Sequence, residues 1–408
     1  MINPDLALNP LLIAALVLVA IAIAACSGLL IVLVGLQRVF SIAPCLEAAT
    51  EFDPPDTSLC VVIPAYNEAE NIGSCLSSVL TSDRPCCEWQ VLVVDDDSAD
   101  VTAERAAQTA AEHNADGPPF ELLRAGPRPA GERWVGKNWA CTRAMEQVRS
   151  HWVLFIDADV RLQPEALRRA LAQAIREEAD LFSLAPRLGC GCLAEWMVQP
   201  IMASLLGLGF PIEATNDPDS VVAFAAGPFM LFRRSAYEAV GGHRALAAEV
   251  VEDLALARGI KAAGFRLRYL LGLDAVDLRM YADLPSLWEG WTKNWLIGLD
   301  RDVGKALAAA AVVVLMFSGP WLLLPSALVL LWLLPQLSIW WLLLVGLSAL
   351  GIGEQLVLRL WQRRRFDVPL TYWWLMGAGG LLLGAIGPVS VWRTLTGRGW
   401  TWKGRQLS

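Results

Sequence analysis

Charged and apolar positions fall in blocks along this 408-residue chain. Residues 11–36, 306–353 and 368–392 contain no Asp, Glu, Lys or Arg. A helix needs about 20 apolar residues to cross a bilayer, so the first stretch predicts one span and the second, of 48 residues, predicts two. The intervening residues have the mixed polarity of a globular domain. Within it four short apolar runs, 59–64, 90–94, 120–124 and 152–156, each precede a helix-like stretch, at 68–80, 101–112, 138–148 and 164–175. Continuous apolar strands alternating with helices predict an α/β domain whose parallel sheet is covered on both faces. The expected organisation is an anchor at 1–36, a globular domain at 37–304 with an interfacial helix near 285–300, and a membrane region at 305–408. That last region divides into two spans within 306–357, a third segment at 368–392 and a basic tail.

The residues flanking the apolar blocks predict sidedness. A cleaved leader has a basic start and a shorter apolar core; here residues 1–10 hold no Lys or Arg and the apolar run continues ten residues past Cys26, which predicts an uncleaved anchor. Asp5 precedes the run and Arg38 follows it, so the globular domain is expected on the cytosolic face of the inner cell membrane. Arg363-Arg364-Arg365 and the tail residues Arg393, Arg398, Lys403 and Arg405 both call for that same side. Between them lie Gly377, Gly379, Gly380, Gly384, Gly387 and Pro388, poor residues for a straight helix. The segment 368–392 thus reads either as a third span or as a re-entrant or broken segment, which would reconcile the two basic clusters. Thirteen of the 18 tryptophans lie at or beyond Trp288. Trp288, Trp291 and Trp295 share one helix face and read as an interfacial anchor or as the wall of a lipid-acceptor site. The apolar segment 193–211, with Trp196, Met197 and Met202, reads equally as membrane-docking or as core.

Composition narrows the function. Charged residues make up 18% of the chain, against about 25% in soluble domains, and the mean hydropathy is +0.44. A net charge of −8 lacks the basic patch that a nucleic-acid partner requires. The nine cysteines form no CxxC pair and read as reduced cytosolic thiols, and the three histidines are too scattered to form a metal cluster.

Polar residues collect where the strands end: Tyr66-Asn67-Glu68, Asp95-Asp96-Asp97 and Asp157-Ala158-Asp159. Ligands of open α/β sheets bind beyond the carboxyl ends of the strands, so these clusters define one rim. The first half of the chain has neither GxxxxGK[ST] nor GxGxxG, so no glycine-rich loop cradles phosphate. Acidic residues hold a polyphosphate only through a divalent cation. Asp157 and Asp159, two apart on an extended chain, face one side and suit Mg²⁺ or Mn²⁺.

Val61-Val62-Ile63-Pro64-Ala65-Tyr66-Asn67-Glu68, Val93-Val94-Asp95-Asp96-Asp97-Ser98, Phe155-Ile156-Asp157-Ala158-Asp159 and Glu252-Asp253 resemble the ordered motifs of family 2 glycosyltransferases. The trailing spans and Trp402-Lys403-Gly404-Arg405 resemble membrane-bound members that glycosylate lipids, including carotenoid- and hopanoid-associated enzymes. The resemblance implies a GT-A fold, an inverting reaction and a nucleotide-sugar donor. It places Pro64, Ala65, Tyr66 and Glu68 beside the nucleotide base, with Asp95 or Asp96 accepting hydrogen bonds from that base. Lys137, in Trp134-Val135-Gly136-Lys137-Asn138-Trp139, is placed on the donor diphosphate together with Asp157. Asp157 and Asp159 would hold the metal.

Glu252-Asp253 opens a helix-like run, 254–263, that ends at Gly264. Acids there complement the helix dipole, and the same dipole keeps a general base ionised. Asp253, beside Glu252, is the expected base for an acceptor hydroxyl. Gly227-Pro228-Phe229 is expected on the acceptor side, with Trp291 and Trp295. Processive members carry Q/R-x-x-R-W after the base; Trp291-Thr292-Lys293-Asn294-Trp295 lacks both the Gln and the Arg, which favours transfer of a single sugar. The expected partners are a nucleotide sugar, the membrane and a lipophilic hydroxyl acceptor. A polyprenyl-phosphate acceptor is the alternative within the class, and a transporter or scaffold with a nucleotide-binding domain the alternative outside it. The charge-free stretches contain no ionisable residue to mark an ion path.

Overall fold

The computed structural model describes residues 10–48, 54–113 and 117–406; Asp5 lies outside them. The strands are β1 (Ser58–Ala65), β2 (Glu88–Asp95), β3 (Phe120–Arg124), β4 (Trp152–Ile156), β5 (Val160–Leu162), β6 (Leu181–Ala185), β7 (Arg187–Leu188), β8 (Phe229–Arg233), β9 (Leu267–Leu271), β10 (Val276–Leu278), β11 (Thr401–Trp402) and β12 (Arg405–Gln406). The first helices are α1 (Pro10–Ile42), α2 (Ile72–Leu80), α3 (Thr102–His113), α4 (Gly136–Met145), α5 (Ala166–Arg176), α6 (Leu193–Gly209), α7 (Ile212–Asn216) and α8 (Arg234–Ala239). They continue as α9 (Gly242–Ala245), α10 (Glu252–Ala262), α11 (Leu284–Gly298), α12 (Val303–Val313), α13 (Gly319–Leu333), α14 (Ser338–Phe366) and α15 (Met376–Leu395).

The chain forms two compact units. One, an α/β unit, comprises Val39–Gly189, Gly209–Met280 and Gly399–Ser408. Its seven-stranded sheet has the order β3-β2-β1-β4-β8-β6-β9, and a small sheet has the order β5-β10-β7. In β1, Leu59, Val61 and Ile63 enter one core cluster while Cys60 and Val62 enter the cluster on the other face. Burial on both faces explains why these strands read as unbroken apolar runs. The sheet is mostly parallel, as expected, with β8 running antiparallel to both β4 and β6. Strand direction leaves no mark on an apolar run that is buried on both faces. β1 is central to the site: it pairs in parallel with β2 on one side and β4 on the other, so their carboxyl ends lie side by side.

The helical unit comprises Met1–Arg38, Cys190–Leu208 and Tyr281–Arg398. Residues 281–304, assigned from sequence to the globular domain, belong here, whereas the terminal residues from Gly399 belong to the α/β unit. Among the described residues, four segments are long and apolar enough to cross a membrane: Pro10–Ile42, Val303–Leu333, Pro335–Phe366 and Trp373–Leu395. α14 carries on to Phe366, so Glu354 and Arg359 lie within a helix whose charge-free part stops at Gly353. Arg359 is fully enclosed, as is Gln355. The Gln355 amide donates to the carbonyls of Met316 and Phe317 at 3.1 and 2.9 Å, in the π-helical turn Val314–Ser318 between α12 and α13. Trp291 and Trp295 are also buried, donating their indole N–H groups to Gln199 and to the Ala306 carbonyl. Their N–H groups therefore point into protein and not toward a membrane interface.

The glycine-rich segment near the end of the chain forms one continuous helix, α15, with Pro388 inside it. Its glycines permit close packing: a Cβ on Gly377 would meet Trp321, on Gly380 Ser318, on Gly384 Val314 and on Gly387 Ala310. Membrane helices favour such small-residue faces because backbones then approach closely. These pairs also give the direction. α15 begins level with Trp321, inside the second candidate span, and runs back along it toward Ala306. A Cβ on Gly379 would collide with the Met197 carbonyl oxygen of α6. Gly379→Ala is expected to cost about 1–3 kcal/mol, measured as a lower thermal-unfolding midpoint of the detergent-solubilised protein.

Candidate active site

The site forms within the α/β unit, at the adjoining ends of β1, β2 and β4. Ala65 and Asp95 are register partners at the ends of β1 and β2, and the loops beyond them are tied together. The Asn67 amide donates to Ser98 Oγ at 3.0 Å, the Ala99 amide to Asn67 Oδ1 at 2.8 Å, and the Glu68 amide to Thr102 Oγ1 at 2.8 Å. Asn67 and Asp97 take left-handed backbone conformations, with φ of 51° and 62°, which Asn and Asp tolerate better than most residues. The first two predicted clusters therefore form one rim.

The third cluster joins this rim to the expected base through a lysine. Lys137 Nζ lies 2.6 Å from Asp157 Oδ1 and 2.7 Å from Glu252 Oε1. Lys137 sits at the start of α4, and the neighbouring Asn138, fully buried, secures the opposite side of the cleft by donating to the carbonyls of Leu246 and Glu249 at 2.6 and 2.8 Å. Burial disfavours the lysine cation, but the two carboxylates outweigh this and hold its pKa well above the ordinary value. Burial alone would raise Glu252; Lys137 reverses that and keeps Glu252 below the usual range. Asp157, Lys137 and Glu252 thus form a salt-bridged chain linking the β4 tip to the N-terminus of α10.

Asp253 is positioned differently. Its Oδ2 accepts from the Gly227 amide at 3.2 Å and its Oδ1 from the Leu254 amide at 2.7 Å. The helix N-terminus leads one to expect an ionised carboxylate here; burial, and then the charge of Glu252, push it up to about 6, a value suited to a base working near neutrality. The acceptor-side expectation divides. Gly227 touches Asp253, whereas the Phe229 side chain is fully enclosed in the sheet core. Trp291 and Trp295 belong to the helical unit.

Asp159 is the best candidate for one end of a cation site. Its Oδ1 is enclosed without a hydrogen-bond partner, and burial, Asp157 and then Glu68 push its pKa well above normal. A divalent cation relieves both conditions, so Asp157 and Asp159 fit one. Among the described residues no group of three or more His, Cys, Asp or Glu side chains is arranged for metal binding, so the remaining ligands would come from water and phosphate.

Sequence reasoning missed several contributors. Arg128 pairs with Asp96 at 2.7 Å. His243, buried beside Phe155, accepts or donates at Tyr237 Oη over 2.7 Å, and burial pushes it down to about 3, so it is neutral. From the far end of the chain, Lys403 and Arg405 reach Glu68 and Asp96. The sequence marks Trp402–Arg405 only as a motif and a basic tail, and neither says which acids its cations will meet.

The candidate site is thus a set of acids at three adjoining strand tips of a mixed α/β sheet, with a bridging lysine and a recessed carboxylate. Residues 152–386 match the model described as Glycosyl transferase family group 2, and residues 60–241 match Glycosyl transferase family 2. The chain belongs to the family 2 glycosyltransferases, and its α/β unit is their GT-A domain. It is similar to the 4,4'-diaponeurosporenoate glycosyltransferase of Staphylococcus aureus strain MRSA252, at 28% identity over 62% of this chain and 64% of the relative. The protein of that name from strain USA300 is 27% identical over the same shares. These matches span just under two-thirds of the relatives' length. Among solved structures, the mannosyltransferase PcManGT from Pyrobaculum calidifontis in complex with GDP-Man and Mn²⁺ is 17% identical, with a TM-score of 0.48 over 91% of this chain and 99% of that one.

Gly227 gives the site its first test. A Cβ there would lie 2.9 Å from Asp253 Oδ2, so Gly227→Ala displaces the carboxylate. Sugar transfer is expected to fall about tenfold or more, in kcat and not in donor KM, while the thermal midpoint stays within a few degrees.

Proposed function

We propose that this glycosyltransferase moves a single sugar from a nucleotide-sugar donor to a hydroxyl of a membrane lipid, a carotenoid or similar compound, with inversion and with help from a divalent cation. The observation that carries the reading is Asp253: a recessed carboxylate fixed by two backbone amides, with a pKa of about 6, next to the Asp157–Lys137–Glu252 chain. In the reaction the acceptor oxygen attacks the anomeric carbon as its proton passes to Asp253. The bond from that carbon to the diphosphate breaks, and the nucleoside diphosphate leaves. Lys137 and Glu252 keep the surroundings of Asp253 ionised and in place. Mg²⁺ or Mn²⁺ held by Asp157 and Asp159 would offset negative charge on the diphosphate. The relatives named for 4,4'-diaponeurosporenoate support a carotenoid acceptor, and the long apolar helices support a membrane setting.

Asp253→Asn is expected to lower transfer to a hydroxyl acceptor by about 10²–10⁴-fold, measured as nucleoside diphosphate released in the presence of lipid extract. In the wild type, kcat/KM falls as pH drops through about 6, because protonated Asp253 cannot take a proton. The variant loses that limb. EDTA stops release in both. Activity retained in Asp253→Asn would mean that the acceptor arrives already ionised, as a carboxylate (the "-oate" of the relatives' name) or a polyprenyl phosphate.

The topology reading is that the α/β unit is cytosolic and that α15 enters and leaves on that side. Support comes from the basic residues 363–365 before α15, its start level with Trp321 inside a candidate span, and the packing of residues after Gly399 within the α/β unit. Reporters placed at residue 367 and after Ser408 are both expected to read as cytosolic; an extracytoplasmic signal from the second overturns this.

A further inference from the structure

The last described residues form a hairpin over the rim of the site. β11 and β12 pair antiparallel, Thr401 with Gln406 and Trp402 with Arg405. The turn residues Lys403 and Gly404 have φ of 49° and 80°, the left-handed pair of a two-residue hairpin. The turn presents two cations to two strand tips. Lys403 Nζ lies 2.6 Å from Glu68 Oε1 and donates to the Asn67 carbonyl at 2.9 Å. Arg405 Nη1 lies 2.5 Å from Asp96 Oδ2, its Nη2 donates to the Asp96 carbonyl at 2.9 Å, and its guanidinium carbon lies 3.7 Å from the centre of the Tyr66 ring.

Asp96 is 4% exposed at the side chain, and its Oδ2 is shared between Arg128 and Arg405. It therefore acts as an anchor for two arginines rather than as an open acceptor. Arg405 and Lys403 keep 24% and 27% of their side chains accessible, so both cations stay open to a ligand at this rim. Without the hairpin, Glu68 and Asp96 would face an incoming diphosphate with Arg128 as their compensating charge. Guanidinium groups stacked on an aromatic face are also rigid, planar and weakly hydrated, and bind both phosphates and base faces well.

We propose that the C-terminal hairpin is part of the donor site: Arg405, positioned by Tyr66 and Asp96, and Lys403, positioned by Glu68, form the cationic surface that binds the anionic nucleotide. This rests on the glycosyl-transfer reading and adds residues more than 300 positions from the motifs they complete. The test uses the full-length protein in detergent and titrates UDP and GDP, with MnCl₂ present, into the wild type, Arg405→Gln and Lys403→Gln by calorimetry. Arg405→Gln is expected to weaken binding of the preferred diphosphate about tenfold or more, the loss of one charge-assisted contact, and to raise donor KM with kcat little changed. Lys403→Gln is expected to weaken it less. If Arg405→Gln fails to fold, as judged by its thermal melt, Lys403→Gln decides by the same measurement. A wild type that binds neither diphosphate sinks the donor reading itself. A wild type that binds, with variants that bind equally well, sinks the hairpin's role alone; tighter binding by the variants also overturns it, making the hairpin a competitor of the nucleotide.

Discussion

Crowded negative charge is the constraint around which this site is built. Glu68, Asp95, Asp96, Asp157, Asp159, Glu252 and Asp253 all come from strand ends, loops or helix ends at one edge of a single sheet. Like charges in a partly desolvated cleft repel, and each either gains a cation or gives up its ionised form. Lys137 resolves the central conflict by holding Asp157 and Glu252 at once. Arg128 and Arg405 do the same for Asp96, yet burial still pushes that group up to about 6. Asp159 and Asp253 gain no such ion pair, and burial raises both.

The division of labour follows. An acid already paired with a lysine or arginine is a poor proton acceptor, so pairing sets Glu252 and Asp96 apart from Asp253. Glu252 and Asp96 are held ionised or anchored and act through their partners. Asp253, supported by two amide N–H groups instead of a cation, keeps a basicity matched to neutral pH. The fold supports this by stiffness: β1 is enclosed on both faces and hydrogen-bonded on both edges, so the tips of β2 and β4 cannot drift from it.

Much of the α/β unit was legible from periodicity. The strands ending before Tyr66, Asp96 and Asp157 lie within a residue or two of the apolar runs that announced them, because a strand buried on both faces must be continuously apolar. α2 begins at Ile72, four residues later than the pattern implied, since Tyr66–Asn71 is spent tying the first rim loop to the second. The direction of β8 was not legible, and neither was the role of the α15 glycines. Glycine lowers helix propensity wherever it stands, and only the neighbouring helix reveals that the missing Cβ is what lets two backbones meet.

The chemistry-bearing residues announced themselves because polar groups that close an apolar strand in a two-faced sheet have few places to go but one rim, and the long charge-free stretches imply membrane-scale helices by length alone. The amino-acid order thus determined which polar residues gather at the strand tips and roughly where each element begins. Tertiary structure decided the pairing: that Lys137 spans two acids, that Asp253 rests on Gly227, and that Arg405 returns to Tyr66 and Asp96. Partner choice among charges depends on distances between residues far apart in the chain, and a linear pattern holds no record of those distances.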